Sequence, residues 1–193
     1  MTITQSFTGR RAVVLHPSCD IRARVMRRLE TLGLEAAGRW PDLAPEDAEA
    51  HVVLIDLDRA QDEQFCWQPG HAPMSTVGLI GSETPGRLAW AVRQRLDAFL
   101  SIPALSNLFS ALVLAHAAFD RRMSEAAREA EVVRRAGLRA ELVEAVVAIM
   151  AEQGVDHHLA LKQLRAYAMV ERVALEDAAL RYLAGARRAV DKA

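Results

Sequence analysis

The placement of proline constrains this chain of 193 residues more than any other feature. Seven prolines stand at Pro17, Pro41, Pro45, Pro69, Pro73, Pro85 and Pro103, and none follows. Proline lacks a backbone N–H and its ring clashes with the preceding turn inside a helix. The ninety residues after Pro103 hold no proline and only three glycines, so they can sustain long helices. Before Pro103, short apolar runs alternate with amphipathic stretches. Two regions of different architecture therefore meet near residue 103.

In the first region, residues 12–15 read as a strand. Residues 19–32 follow as a helix with Ile21, Val25, Met26 and Leu29 on one face and Gly33 as a stop. Residues 34–40 and 51–57 are the next strands, the latter apolar throughout, as burial on both faces requires. Residues 75–80 and 98–102 complete five strands, separated by a helix over 85–96 with Leu88, Val92 and Leu96 in line. The segment 58–73 offers at most a short or irregular helix. Strand–helix alternation with short loops predicts an α/β doubly wound parallel sheet.

From residue 104 the pattern is one long helix. Leu112, His116, Phe119, Met123, Ala126, Ala130, Val133 and Gly137 follow the 4-3 spacing of a coiled-coil seam. Such a seam either docks on its own domain or pairs with a second copy. The favoured reading is a homodimer through Leu112, Phe119, Met123 and Val133. Three further helices are predicted over 140–153, 156–169 and 174–189, with Gly154 closing the first and Asp156 capping the second. The expected division is 1–103, 104–139 and 140–193.

Charge excludes little. Residues 1–115 carry 11 Lys/Arg against 13 Asp/Glu, and residues 116–193 carry 13 against 12. A protein held mainly by phosphate contacts is usually more basic, so composition alone nominates no polynucleotide. No secretion signal is visible, and Cys19 and Cys66 in unrelated contexts fit a reducing cytoplasm. The apolar stretches are read as too short or too charged for a membrane span. The sequence has no glycine-rich phosphate loop, no nucleophile with a spaced base and no paired cysteine ligands. His157 and His158 are adjacent and so point about 100° apart on a helix, unsuited to joint chelation. No enzyme activity, cofactor or metal is expected.

Two stretches carry a family resemblance. Residues 149–169, I-M-A-E-Q-G-V-D-H-H-L-A-L-K-Q-L-R-A-Y-A-M, followed by R-V-A-L-E-D-A-A over 172–179, resemble an ANTAR domain. That domain is the small three-helix RNA-binding module of transcription antiterminators. Its signature is matched by Ile149-Met150, Gly154, Ala160, Leu164-Arg165, Ala168-Met169, Leu175 and Ala179. The first region resembles a response-regulator receiver, and the whole arrangement is similar to the AmiR-like antiterminators of amidase operons.

A working receiver needs an acidic pair after its first strand, an acceptor Asp after the third, a hydroxyl after the fourth and a Lys after the fifth. Here those places fall on His16 and Pro17, Asp56, Gly81 (with Ser82 next) and Ile102. Phosphoryl transfer needs a metal and a cation to neutralise charge, so the resemblance implies a pseudo-receiver that binds protein instead of accepting phosphate. In the helical module, Leu161, Leu164, Ala168 and Met169 are expected in the core. Lys162, Arg165, Tyr167 and Arg172 are the candidate RNA contacts. Glu141 and Val146 stand where many ANTAR domains carry basic residues. The partners implied are leader RNA hairpins, a second copy of the chain and a ligand-sensing regulatory protein (AmiC-like) that sequesters it. Two alternatives stand beside this reading: a protein-interaction scaffold without RNA binding, and a conventional regulator phosphorylated on Asp56.

Overall fold

The computed structural model describes residues 6–82 and 84–190. The chain forms two compact units, Met1–Ser124 and Glu125–Ala193. In the first, β1 (Arg11–Leu15), β2 (Glu35–Arg39), β3 (Val52–Asp56), β4 (Ser75–Ile80) and β5 (Ala98–Ser101) form one sheet in the order β2-β1-β3-β4-β5. All four pairings are parallel. This is the order of a receiver or flavodoxin-like sheet.

The period of two along each strand divides the core between the two faces. Ala12, Val14, Leu54, Val77 and Leu100 meet helix α1 (Cys19–Thr31) and the start of α3 (Leu108–Gly137) through Val25, Leu29, Leu108, Leu112 and Ala115. Val13, Val53 and Ile55 face Met74, Trp90 and Ala91, the last two on α2 (Pro85–Arg93). Ser18 starts α1 as a cap, accepting from the Ile21 N–H.

Two of the connections carry no α-helix, and the second agrees with the short or irregular segment expected over 58–73. Between β2 and β3, and again between β3 and β4, the chain makes only 3-10 turns, at Pro45–Glu49 and Asp62–Gln64. Polar staples hold these loops against the sheet. Buried Asp47 accepts from Arg39 Nε at 2.8 Å and from the Ala44 N–H at 2.9 Å. Asp62 accepts from Trp90 Nε1 at 2.6 Å and Gln94 Nε2 at 2.7 Å. Phe65 stacks on Trp67 with centroids 5.2 Å apart and completes the cover.

Ile102–Asn107 is likewise a 3-10 turn, so the long helix starts at Leu108 and not at residue 104. Residues 102–119 carry no Asp, Glu, Lys or Arg, and this helix is long and apolar enough by composition to cross a membrane. That corrects the reading that no stretch qualifies. The burial of Leu108, Ala111, Leu112 and Ala115 in the sheet core accounts for the apolar inner face. Farther along, Arg122 donates to the Ala72 carbonyl at 2.9 Å and to Asp97, itself buried, at 3.3 Å. Asp97 also accepts from the Thr76 N–H at 2.8 Å.

The second unit packs α4 (Arg139–Gln153), α5 (His157–Glu171) and α6 (Leu175–Val190) around Ala145, Ile149, Ala160, Leu164, Ala168, Ala178, Ala179 and Leu183. The alanines let helix backbones approach closely. Gly154 ends α4 in the left-handed region (φ 64°), where a glycine carries no Cβ penalty. Asp156 caps α5, accepting from the Leu159 N–H at 2.8 Å. Arg134, near the end of α3, grips Asp177 through two bonds of 2.7 and 3.0 Å and also binds Glu131. These guanidinium bonds hold the Glu131 carboxyl well below the usual range, at about 2.

Candidate functional site

The strand ends of the first unit converge on a cleft of about 230 Å³ lined by His16, Pro17, Ser18, Ile21, Asp56, Asp58, Arg59, Gly81 and Ile102. The parallel sheet brings together every position predicted for the acceptor site, because β1, β3 and β4 end in register. The cleft brings an imidazole beside two carboxylates, Asp56 and Asp58. His16 Nδ1 accepts from the Ser18 N–H at 3.0 Å, so the imidazole proton sits on Nε2, which faces Asp56 Oδ1 at 3.9 Å. Arg22 donates to the carbonyls of His16 and Pro17 and fixes that turn.

Both facing groups are buried, and burial disfavours the charged form of each. It pushes the His16 pKa down, partly opposed by Asp56, and pushes the Asp56 carboxyl up, partly opposed by His16. Asp56 also accepts from the Asp58 N–H at 3.1 Å. Asp58 in turn accepts from the Ser82 N–H at 3.1 Å and leans on Gly81. A Cβ at residue 81 would meet Asp58 Oδ2, so a side chain there would require the Asp58 carboxylate to turn aside. Ile102 supplies a methyl group where a receiver needs a cation. The magnesium of a working receiver demands oxygen ligands in octahedral array. At the acidic-pair positions His16 and Pro17 offer no carboxylate, while Asp56 and Asp58, the latter engaged by Ser82, bring two carboxylates into the same cleft. Among the described residues no group of three or more His, Cys, Asp or Glu could hold a metal.

In the second unit the ANTAR-like residues divide by direction. Ile149, Ala160, Leu164, Ala168 and Ala179 are buried in the core, with Met150 and Leu175 packed against it. Lys162, Arg165 and Arg172 are exposed and enter no ion pair among the described residues. Arg172 caps α5 in the left-handed region (φ 54°) with its N–H on Ala168 and Met169. Tyr167 is about a third exposed (36 %) and lines a cleft with Tyr182, whose hydroxyl donates to Glu152 at 2.5 Å. That bond pushes the Tyr182 phenol up to about 12. Val146 packs on the core, and Glu141 carries a buried Oε2 with no hydrogen-bond partner.

Three sequence readings need correction. Met169, expected in the core stripe, is 79 % exposed, because the stripe runs 160, 164, 168 and its neighbour lies a quarter-turn away. Leu112, expected in the dimer seam, is packed in its own domain, while Phe119 is half covered by Arg122, 5.1 Å from its ring centroid. Of the four seam residues, Met123 and Val133 face outward. His157 and His158 do not diverge: their rings lie 4.0 Å apart. In the first turn of α5 no preceding turn restricts χ1, so both rings can lean together.

A family model described as "AmiR, N-terminal" matches residues 10–116, more than half of the chain. The chain belongs to that family. No curated protein matches it. Among solved structures, ShkA Rec1 in complex with c-di-GMP is 23 % identical, covering 57 % of this chain and 95 % of its own, with a TM-score of 0.45. A CheY-like response regulator from Mesorhizobium loti is 16 % identical over 56 % and 99 %, with a TM-score of 0.44. The RcsB response regulator of Salmonella typhimurium is 16 % identical over 92 % and 98 %, also at 0.44. AmiR membership and the strand order together describe a regulator of the response-regulator type.

Proposed function

We propose that the chain is a cytoplasmic transcription antitermination regulator whose helical unit binds hairpins of a leader RNA. One observation carries this: the residues of the ANTAR resemblance that must be apolar close one core, while Lys162, Arg165 and Arg172 stay exposed and unpaired. Arginines in that state can reach phosphates and stack on bases of an RNA loop. The receiver acts as a protein-binding platform, sequestered by a ligand-sensing partner until an inducer releases it. His16, Gly81 and Ile102 favour this over a phosphorylation switch, since none supplies the charge or hydroxyl that transfer to Asp56 would use. The dimer seam lies in the outward-facing part of α3, at Met123 and Val133.

The deciding experiment is binding of the purified chain to the leader transcript of its own operon over a salt series, beside Arg165→Ala. Binding that weakens with salt and with the substitution supports an RNA-binding antiterminator. Absence of binding at low salt leaves the scaffold reading. Incubation with acetyl phosphate and magnesium tests the platform: a phosphoryl group on the wild type but not on Asp56→Asn would restore the conventional regulator.

A further inference from the structure

We propose that the groove between α1 and the turn before α3 binds a polyphosphoryl anion, a pyrophosphoryl group either free or carried on a nucleoside. The groove holds about 290 Å³ and is lined by Arg24, Arg27, Arg28, Thr31, Leu105 and Ser106. The first four stand at i, i+3, i+4 and i+7 of α1, which puts them on one helical face. Leu105 and Ser106 belong to the 3-10 turn Ile102–Asn107 and supply the other wall.

These three guanidiniums differ from others around the sheet. Arg39, Arg93 and Arg122 are paired with Asp47, Asp62 and Asp97, and Arg22 and Arg87 are spent on backbone carbonyls. Arg24, Arg27 and Arg28 are exposed, and their side chains enter no ion pair or hydrogen bond among the described residues. Asp20 and Glu30, the carboxylates of the same helix, do not pair with them. Like charges three and four residues apart destabilise a helix. The dipole at the end of α1 compensates for Arg28, in the last turn, but fades before Arg24 and Arg27. An anion in the groove would compensate all three.

The compactness of the groove selects the anion. A guanidinium forks onto phosphate or carboxylate oxygens through parallel N–H donors. An acidic peptide strings its carboxylates along the backbone at about 3.3 Å per residue, on alternating sides, and would carry most of them past a groove of this size. A pyrophosphoryl group gathers its charges and acceptor oxygens at one place. No carboxylate lines the groove to repel it, and Ser106 adds a hydroxyl, while that of Thr31 is engaged by the Arg28 carbonyl at 2.7 Å. The site lies in the receiver unit and is independent of the RNA reading above.

The test is calorimetric titration of the full-length chain at low salt with inorganic pyrophosphate, ADP and citrate, beside thermal melts. Pyrophosphate and ADP should bind, raise the melting temperature and weaken as salt rises. Equal affinities support the free anion as ligand; tighter binding of ADP supports a group carried on a nucleoside. Arg27→Gln should weaken both about tenfold. Arg121→Gln, at an exposed arginine of α3 outside the groove, should weaken neither. Without ligand, Arg27→Gln should melt with the wild type, as exposed substitutions do; Arg24→Gln provides the test if it does not. Citrate binding as tightly as pyrophosphate, or pyrophosphate binding that survives both substitutions in α1, overturns the site. A poly-glutamate peptide that binds where pyrophosphate does not also overturns it, and makes the groove a protein-docking surface.

Discussion

The two units treat polar residues in opposite ways. In the receiver, charged groups are taken inside and neutralised there: Asp97 by Arg122, Asp47 by Arg39, and Asp56 by burial beside His16. In the helical unit the core is made of alanine and aliphatic residues, and the cations of α5 remain outside. The difference separates residues that hold a fold from residues that are free to meet a partner. The receiver's cleft gathers buried titratable groups at the strand ends. On the helical unit Lys162, Arg165 and Arg172 are exposed without an ion pair among the described residues.

Substitutions can break this contrast, and the largest effects belong to interior groups. Arg122→Ala strands the Asp97 carboxylate and should cost about 3–5 kcal/mol in chemical denaturation of the receiver unit. If the cost is below a kcal/mol, the buried pair is not what holds α3 to the sheet. Next comes the helical unit, where Leu164→Ala should cost about 2–5 kcal/mol. Its neighbour Arg165→Ala should stay within about 0.5 kcal/mol in the same melt. Equal losses at 164 and 165 would contradict the division between core and surface.

Acid provides a smaller test. The folded-state pKa of His16 is lowered, so its contribution to stability is present above its ordinary value near 6.5 and is lost as pH falls through the folded value. Asp56, raised, has the opposite sign: its folded form is favoured at low pH and loses stability as pH rises through the raised value. His16→Asn should therefore flatten the stability loss of wild type between neutral pH and pH about 5. Unchanged slopes would mean that His16 titrates as freely folded as unfolded. The smallest effect is a gain. Arg172→Gly relieves a left-handed residue at the end of α5 and should stabilise by about 0.5–1 kcal/mol. RNA affinity should drop in the same protein if the side chain grips phosphate.

Much of the architecture was legible because period and punctuation are local. The β3 run reads as a doubly buried strand, the Pro-free tail reads as helix, and Gly154 and Asp156 mark a boundary that the caps bear out. The acceptor positions were legible too, since they sit at strand ends. The cover over the α2 side of the sheet was not. Loops around Asp47 and Asp62 replace helices there by hydrogen bonds to residues eight and about thirty positions distant, which no periodicity announces.

By itself, then, the sequence determined the five strands and the helical character of the chain after Pro103, and it set His16, Pro17, Asp56, Gly81 and Ile102 at strand ends. These depend on residue type and near neighbours. Only the tertiary structure decided that Leu112 faces inward, that the Asp58 carboxylate lies against Gly81, that Met169 is outside, and that Tyr167 and Tyr182 line one cleft. Each of those is set by which surfaces pack together across long sequence separations, and a face that looks apolar in sequence carries no label for the partner that will cover it.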